Sequence, residues 1–187
     1  MRRVVGFLLL VFLVVQGAVT GSPAGAAVAP ETAERVVQAP RRLDIPALNV
    51  NAGIIPVGVT PGGRLAIGHS VRDVYRWRNG VIPGQPGSAV LAGHTWSRGN
   101  GVFDNLGRMA IGDRVTVGAL RFKVTRVRRV TGMSQADVAA LFSDQGRARL
   151  VLITCGDRNN TTGVYRTRII VNAKKVRSRT SRLPVAG

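Results

Sequence analysis

The chain contains very few of the residues that build disulfides and metal sites. Its 187 residues include one cysteine, two histidines and nine aspartates and glutamates together. A single cysteine cannot form an internal disulfide, and the candidate ligands stand at no recognised metal-binding spacing. The sequence therefore predicts no disulfide framework, no metal site (calcium included) and no bound cofactor.

Acidic residues are scarce while basic residues are abundant, so the chain is strongly cationic. Its 27 lysines and arginines, 24 of them arginine, give a formal net charge of +18. Such a chain is attracted to anionic lipid, to anionic wall polymers or to nucleic acid. Aromatic residues make up only 5% of the sequence, too few for a platform on which bases stack. An anionic membrane or wall surface is therefore the expected partner, and nucleic acid is not.

An export signal is predicted at the N-terminus. Arg2 and Arg3 precede the apolar run VVGFLLLVFLVV, and the small residues ending at Ala24-Gly25-Ala26 have the pattern of a cleavage site. The run is short for a membrane span, which needs roughly 20 apolar residues. A signal peptide over 1–26 is therefore favoured, with an uncleaved anchor as the alternative. Export also removes the chain from nucleic acid.

The remaining chain divides into three predicted parts. A flexible spacer over 27–40 is followed by one domain over 41–176 and by a basic flexible tail over 177–187. The domain is long enough to bury a substantial core.

Most of the domain has the pattern of short strands. These are predicted in RRLDIPALNV, AGIIPVGVTPGGRLAI, SAVLAGH, RLVLITC and YRTRIIVNA, and DRVTVGALRFKVTRVRRV has the pattern of a hairpin around Gly118. One helix is predicted in SQADVAALF, with Ser134 as N-cap and Asp137 at the capping-box position. Many short strands and one helix predict an all-β fold, a closed or nearly closed barrel.

Cys155 is the residue that most needs an explanation. It follows the apolar run Leu150 to Thr154, where the sequence predicts that a buried strand ends and a loop begins. A thiol in that place is either a packed core residue or a nucleophile, and a nucleophile needs an imidazole or a cation beside it. Of the two histidines, His94 also follows a predicted strand, whereas His69 lies in a turn.

Arginines supply the second set of candidates. Arg166 and Arg168 follow the polar loop after Cys155, and because they lie two apart on a predicted strand they share one face. Either could hold a developing oxyanion beside the thiol. The two tryptophans, Trp77 and Trp96, are expected in loops beside this site.

These motifs together resemble those of the sortases, which are cysteine transpeptidases on the outer surface of Gram-positive bacteria. VLITC at 151–155 is similar to the TLxTC motif, AGH ends about sixty residues upstream, and an arginine lies on the next strand. The stretches RNGVIPGQPGSAVLAGHTW and GVFDNLGRMAIGDRVTV resemble the actinobacterial class F sortases. The resemblance extends from about Leu43 to Val176.

The resemblance implies a fold and a set of site residues. The fold is an eight-stranded sortase-type β-barrel with one or two short helices. Cys155 is the nucleophile, His94 is the catalytic histidine, and His69 has no role. The class A and B pattern selects Arg168 as the catalytic arginine, whereas the class F pattern YRDN selects Arg166. Arg168 is preferred, because this sequence departs from class F at that position.

The resemblance also implies a reaction and a location. The enzyme would cleave an LPxTG-like sorting signal of a surface protein through a thioacyl intermediate, then pass that protein to an amine of a peptidoglycan precursor or of a pilin. It would work outside the cell, at the surface or membrane of a Gram-positive bacterium. An L,D-transpeptidase would need an S/T-H-G-C-like motif, which is missing from this sequence. The remaining alternative is a noncatalytic, basic wall-binding barrel derived from a sortase.

Overall fold

The computed structural model describes residues 39–159 and 161–177, which form an all-β barrel. The predicted signal peptide, all but the last two residues of the spacer, and the tail beyond Arg177 lie outside these residues. Eight strands close in the order β1-β2-β3-β4-β7-β8-β6-β5. Their bounds are β1 Arg42–Ile45, β2 Val50–Val57, β3 Val74–Trp77, β4 Ser88–Gly93, β5 Arg114–Val117, β6 Leu120–Thr131, β7 Arg149–Arg158 and β8 Tyr165–Lys175.

The barrel interior is the main core. Alternate residues along the strands point inward, as in the pairs Val115 and Val117 on β5 or Leu150 and Leu152 on β7, and all four are fully buried. They pack with Phe103 and Leu106 from the connection between β4 and β5. The predicted all-β, eight-stranded barrel is thus confirmed, including the β5–β6 hairpin, which turns at Gly118 with a φ of +57°.

Some sequence-based boundaries are wrong. β7 continues to Arg158, so Cys155 lies within a strand and not at its end. Trp77 belongs to β3, a strand that the pattern did not reveal, rather than to a loop. β3 is short and pairs with β2 in parallel and with β4 antiparallel, so it is specified by its neighbours and not by local alternation.

The predicted helix is present as α1, Gln135–Leu141, and packs on the outside of the barrel. Leu141 belongs to a second, smaller core with Val90 of β4, Val151 of β7 and Ile170 of β8. Two short 3-10 helices, Pro46–Leu48 and Leu106–Arg108, complete the regular structure. Among the described residues, no helix is both long and apolar enough to cross a membrane.

The helix start is a reciprocal capping box, as predicted. The Ser134 hydroxyl accepts a hydrogen bond from the Asp137 backbone at 3.1 Å, and the Asp137 carboxylate accepts one from the Ser134 backbone at 3.0 Å. Hydrogen bonds from the Ser134 side chain, and then from its backbone, hold the pKa of Asp137 below its usual range. α1 is only seven residues long, so its first turn depends strongly on this cap.

We expect Ser134→Ala to lower the free energy of unfolding by about 1 kcal/mol. We also expect a pH effect at the same cap. The pKa of Asp137 is lower in the folded than in the unfolded state. Its contribution to stability is therefore complete above the unfolded-state pKa and is lost as pH falls through the folded-state pKa. Denaturant unfolding of wild type and Asp137→Asn should therefore differ near neutral pH and converge in acid. A difference that stays constant with pH would contradict this role.

Candidate active site

Strand register places three of the candidate residues in one row. Cys155 on β7 lies directly opposite Arg168 on β8. β4 pairs with β7 in parallel, and the last pair in this register is Ala92 with Ile153. His94 and Cys155 each lie two residues further along their chains, so His94 is level with Cys155. Because neighbouring strands lie about 5 Å apart, the row His94, Cys155, Arg168 crosses three adjacent strands with the thiol in the middle.

This row lies on the outer face of the barrel. Leu152 points into the barrel core and Val151 packs outward against α1, so Ile153 and Cys155 continue the outward set. Cys155 is partly exposed as a residue and lines the groove described below, which permits access by a substrate. Cys155 is therefore not buried as an inert core residue.

Two threonine hydroxyls join the strand ends around the row. The Thr154 hydroxyl donates to the carbonyl of Gly93 at 2.7 Å, and the Thr95 hydroxyl donates to the carbonyl of Cys155 at 2.8 Å. The two hydroxyl oxygens are themselves 2.7 Å apart. These contacts hold Gly93 against the Thr154 side chain and Thr95 against the Cys155 backbone, so the relative position of His94 and Cys155 is constrained from both sides.

The imidazole of His94 is oriented by the loop that precedes β3. Its Nε2 lies 2.8 Å from the carbonyl oxygen of Gly68, and since a carbonyl only accepts, Nε2 carries the proton. The ring of Tyr75 stands edge-on to the imidazole, with centroids 5.9 Å apart and planes at 78°. The Tyr75 hydroxyl donates to the carbonyl of Ser70 at 2.8 Å, which ties the same loop down.

Arg168 and Arg166 differ in their surroundings, although the alternation along β8 predicts a shared face. Arg168 lines the groove described below, and its guanidinium donates to the carbonyl of Thr167 at 3.0 Å. Both arginines are exposed, but Arg166 does not line that groove. It stands across from Asp157, whose backbone has a φ of +50°, so the sheet is irregular at Arg166 and regular at Arg168. His69 is exposed and also lies away from the groove lining.

A groove of about 500 Å³ runs over the row. Its floor is the outer face of β4 and β7. One wall is formed by Val138 of α1 and by the C-cap residue Phe142, and the other wall is the segment 58–68. That segment folds back on itself through a bridge between Val59 and Leu65. Three large apolar side chains that remain exposed, Val59, Ile67 and Val138, line this groove. Exposed apolar side chains gathered in one groove are typical of a binding site.

Residues 39–159 and 161–177 hold no cluster of three or more histidine, cysteine, aspartate or glutamate side chains. The groove brings together a thiol, an imidazole and a guanidinium beside exposed apolar side chains. A thiol next to an imidazole is suited to nucleophilic attack, and a guanidinium is suited to binding an oxyanion.

Tyr75→Phe should lower the rate of peptide cleavage several-fold without unfolding the protein. The buried hydroxyl anchors Ser70, and through that loop it holds the Gly68 carbonyl on His94. A positioning role predicts a fall in kcat with little change in KM, and a shift of the pH–rate profile. Thr125→Val, which also removes one hydroxyl, is the control, because that hydroxyl donates to the Asn172 carbonyl and not to this loop. An unchanged pH profile and kcat in Tyr75→Phe would remove Tyr75 from the site.

The sequence patterns did not identify the residues that position His94. Gly68 acts through its carbonyl and Tyr75 through its ring edge and hydroxyl, and neither stands in a motif. Their sequence separation from His94 is 26 and 19 residues respectively, so only the pairing of β3 with β4 brings them to it. Thr95 and Thr154 are next to His94 and Cys155 in the sequence, and this adjacency was the signal that could have indicated their role.

Comparison with protein-family models gives one match to the described domain. The model "Sortase domain" covers residues 43–176, which is most of the chain. A search of curated proteins found no match.

Solved structures also match this barrel. Sortase C-1 from Actinomyces oris is 26% identical, with a TM-score of 0.55, over 73% of this chain and 73% of the other. A sortase D5 transpeptidase from Clostridium perfringens is 21% identical, with a TM-score of 0.55, over 75% and 80%. Sortase A from Listeria monocytogenes is 17% identical, with a TM-score of 0.57, over 75% and 89%. At such identities these likenesses concern the fold.

Proposed function

The chain belongs to the sortase family, and from that premise we propose that it is a cysteine transpeptidase acting on proteins with an LPxTG-like sorting signal. The observation that carries the proposal is the row His94, Cys155, Arg168 beneath one apolar groove. A noncatalytic barrel would have no need of all three groups on adjacent strands. In this proposal Cys155 is the nucleophile, His94 the acid and base, and Arg168 the oxyanion donor.

The first half-reaction breaks the Thr–Gly peptide bond of the signal. The Cys155 thiolate attacks the threonine carbonyl carbon, and Arg168 stabilises the oxyanion that forms. As the tetrahedral intermediate collapses, the carbon–nitrogen bond breaks and His94 gives a proton to the departing glycine amine. A thioester between Cys155 and the threonine remains.

The second half-reaction reverses these roles. An acceptor amine attacks the thioester carbonyl, His94 takes the proton from that amine, and the carbon–sulfur bond breaks to release the Cys155 thiolate. The products are a new amide and the free enzyme. We propose an amine of a peptidoglycan precursor or of a pilin as the acceptor.

The hydrogen bond to Gly68 specifies which nitrogen of His94 takes part. Nε2–H is held by the Gly68 carbonyl, so Nδ1 is the nitrogen left to exchange a proton with the thiol and the amines. Proton exchange at Nδ1 leaves the Nε2 bond in place throughout the cycle. The imidazole can therefore change charge without changing orientation.

The groove suits the apolar part of a sorting signal. Val59, Ile67 and Val138 offer exposed apolar surface to a leucine and a proline, while the row presents polar groups to the peptide bond that is cut. The wall formed by 58–68 and the wall formed by α1 would hold an extended peptide between them.

The finer assignment rests on sequence motifs. We propose that the chain lies nearest the actinobacterial class F sortases, from the stretches around His94 and after Gly101. We further propose that it is exported by its N-terminal signal and works at the surface or membrane of a Gram-positive cell.

Mass spectrometry after incubation with an LPxTG-type peptide tests the reaction. The expected result is an adduct on Cys155 with the mass of the peptide up to its threonine, which is discharged when an amine such as triglycine is added. Cys155→Ala provides the control and should give no adduct. Wild-type protein that neither forms the adduct nor releases the glycine fragment would favour the noncatalytic barrel.

A further inference from the structure

A second cross-strand row lies at the other end of β7 and β8 and continues onto β6 and β5, and it is entirely cationic. Arg114 on β5 is directly opposite Lys123 on β6, Lys123 is opposite Lys174 on β8, and Lys174 is opposite Arg149 on β7. We call these four residues the basic row. Four adjacent strands span about 14 Å, so the four charges form a compact line on the sheet.

The basic row faces outward. Lys123 lies between Phe122 and Val124, which are both buried in the barrel core, and Arg149 and Lys174 adjoin the core residues Leu150 and Ala173. Arg114, Lys123 and Lys174 are exposed and Arg149 is partly exposed. The row is therefore available to a partner.

No acidic side chain compensates the row. None of its members has a carboxylate within ion-pairing distance among the described residues. Arg149 is held by neutral groups only, the Ser88 hydroxyl at 3.0 Å and the Gln145 carbonyl at 3.1 Å. Like charges directly opposite each other destabilise a sheet, so folding gives no reason for this arrangement.

Both ends of the described chain emerge beside the basic row. The Arg42 carbonyl accepts from Gly118 at the β5–β6 turn, and the backbone of Val176 donates to Arg121 on β6. The N-terminal side leads back to the apolar run that ends at Val15. Roughly two dozen residues separate that run from Pro40, a reach of at most about 80 Å when extended.

We propose that the basic row docks the barrel on an anionic phospholipid bilayer. The cations match phosphate headgroups, and the apolar run upstream of this end is the segment that would bring it near a membrane. β7 runs from Arg149 to Cys155, a distance of about 20 Å at 3.3 Å per residue. The docking contact and the reacting thiol are therefore at different ends of β7. The row also retains the barrel at the membrane if the apolar run is removed.

Vesicle binding tests this docking. The protein begins at Ala27, which removes the apolar run and keeps every strand of the closed barrel. Its partition onto vesicles of phosphatidylcholine with phosphatidylglycerol is compared with that onto phosphatidylcholine alone, at about 0.1 M salt, where surface charges are only partly screened. The row variant is Arg114→Glu with Lys174→Glu, which makes the charges alternate along the row, so that each glutamate is opposite a cation and folding is favoured.

The control variant is Arg72→Glu with Arg108→Glu, which makes the same change in net charge elsewhere. Both residues are exposed, and neither adjoins the row. Arg72 precedes β3, next to the pair formed by Val74 and Gly93. Arg108 lies in the connection between β4 and β5, near Ile169. We expect wild type to prefer the anionic vesicles, the row variant to lose tenfold or more in affinity, and the control to lose less than threefold.

Three results would overturn the proposal: no preference for anionic vesicles, equal losses in both variants, or binding of soluble poly(glycerol phosphate) in place of vesicles. The last would assign the row to a wall polymer. Cleavage of a soluble peptide should be the same in wild type and the row variant, because the row is remote from Cys155. The docking and the transpeptidase activity can thus fail independently.

Discussion

Alanine at Cys155 or at His94 is expected to reduce cleavage of an LPxTG-type peptide by at least about a hundredfold. Cys155 supplies the only thiol in the chain, and the thioester cannot form without it. His94 is the imidazole that the fold brings level with that thiol, and general acid–base catalysis is worth about 10²–10⁴-fold. The measurement is the release of the glycine fragment.

The controls separate chemistry from folding. Cys155 is only partly buried and His94 is held at one nitrogen by a single hydrogen bond, so both variants should keep the circular dichroism spectrum of the wild type. His69→Ala is the matched control, because it removes the other histidine of the chain from an exposed position outside the groove. It should retain wild-type activity.

The double variant gives a further check. If Cys155 and His94 act in the same steps, then combining the two substitutions should reduce the rate no further than Cys155→Ala alone. Full activity in either single variant, with the fold intact, would remove that residue from the site.

Arg168→Lys is expected to reduce cleavage by about 10²–10³-fold, the loss typical when an oxyanion donor is removed. Lysine retains the positive charge but lacks the planar fork of donors that a guanidinium presents. Arg168 is directly opposite Cys155 and lines the groove, so its guanidinium is the one placed to reach the reacting carbonyl.

Arg166 provides the matched control for this substitution. It is an exposed arginine on the same strand, two residues away, but it stands opposite the irregular backbone of Asp157 and outside the groove lining. Arg166→Lys and Arg166→Ala should each keep activity within about threefold of wild type, since surface substitutions away from special features have small effects. Equal and mild losses at both arginines would mean that neither is the oxyanion donor.

The sequence by itself determined the elements whose signal is local. Ser134 and Asp137 are three residues apart and predict a capping box, which the helix has. Alternation around Gly118 predicts the β5–β6 hairpin, because the side-chain period of a strand is two and a glycine permits the tight turn. The order of His94, Cys155 and the arginines was also readable, and it led to the family to which the chain belongs.

The tertiary structure decided everything that depends on which strands become neighbours. β4 and β7 are separated by more than fifty residues and yet are adjacent in the barrel, and this places His94 beside Cys155. The same register distinguishes Arg168 from Arg166, which periodicity alone could not do because both lie on alternate positions of one strand. It also assembles the basic row from four strands, each of which contributes one unremarkable surface cation. The physical reason is that strand pairing joins backbone groups without regard to their distance along the chain, whereas sequence patterns report only near neighbours.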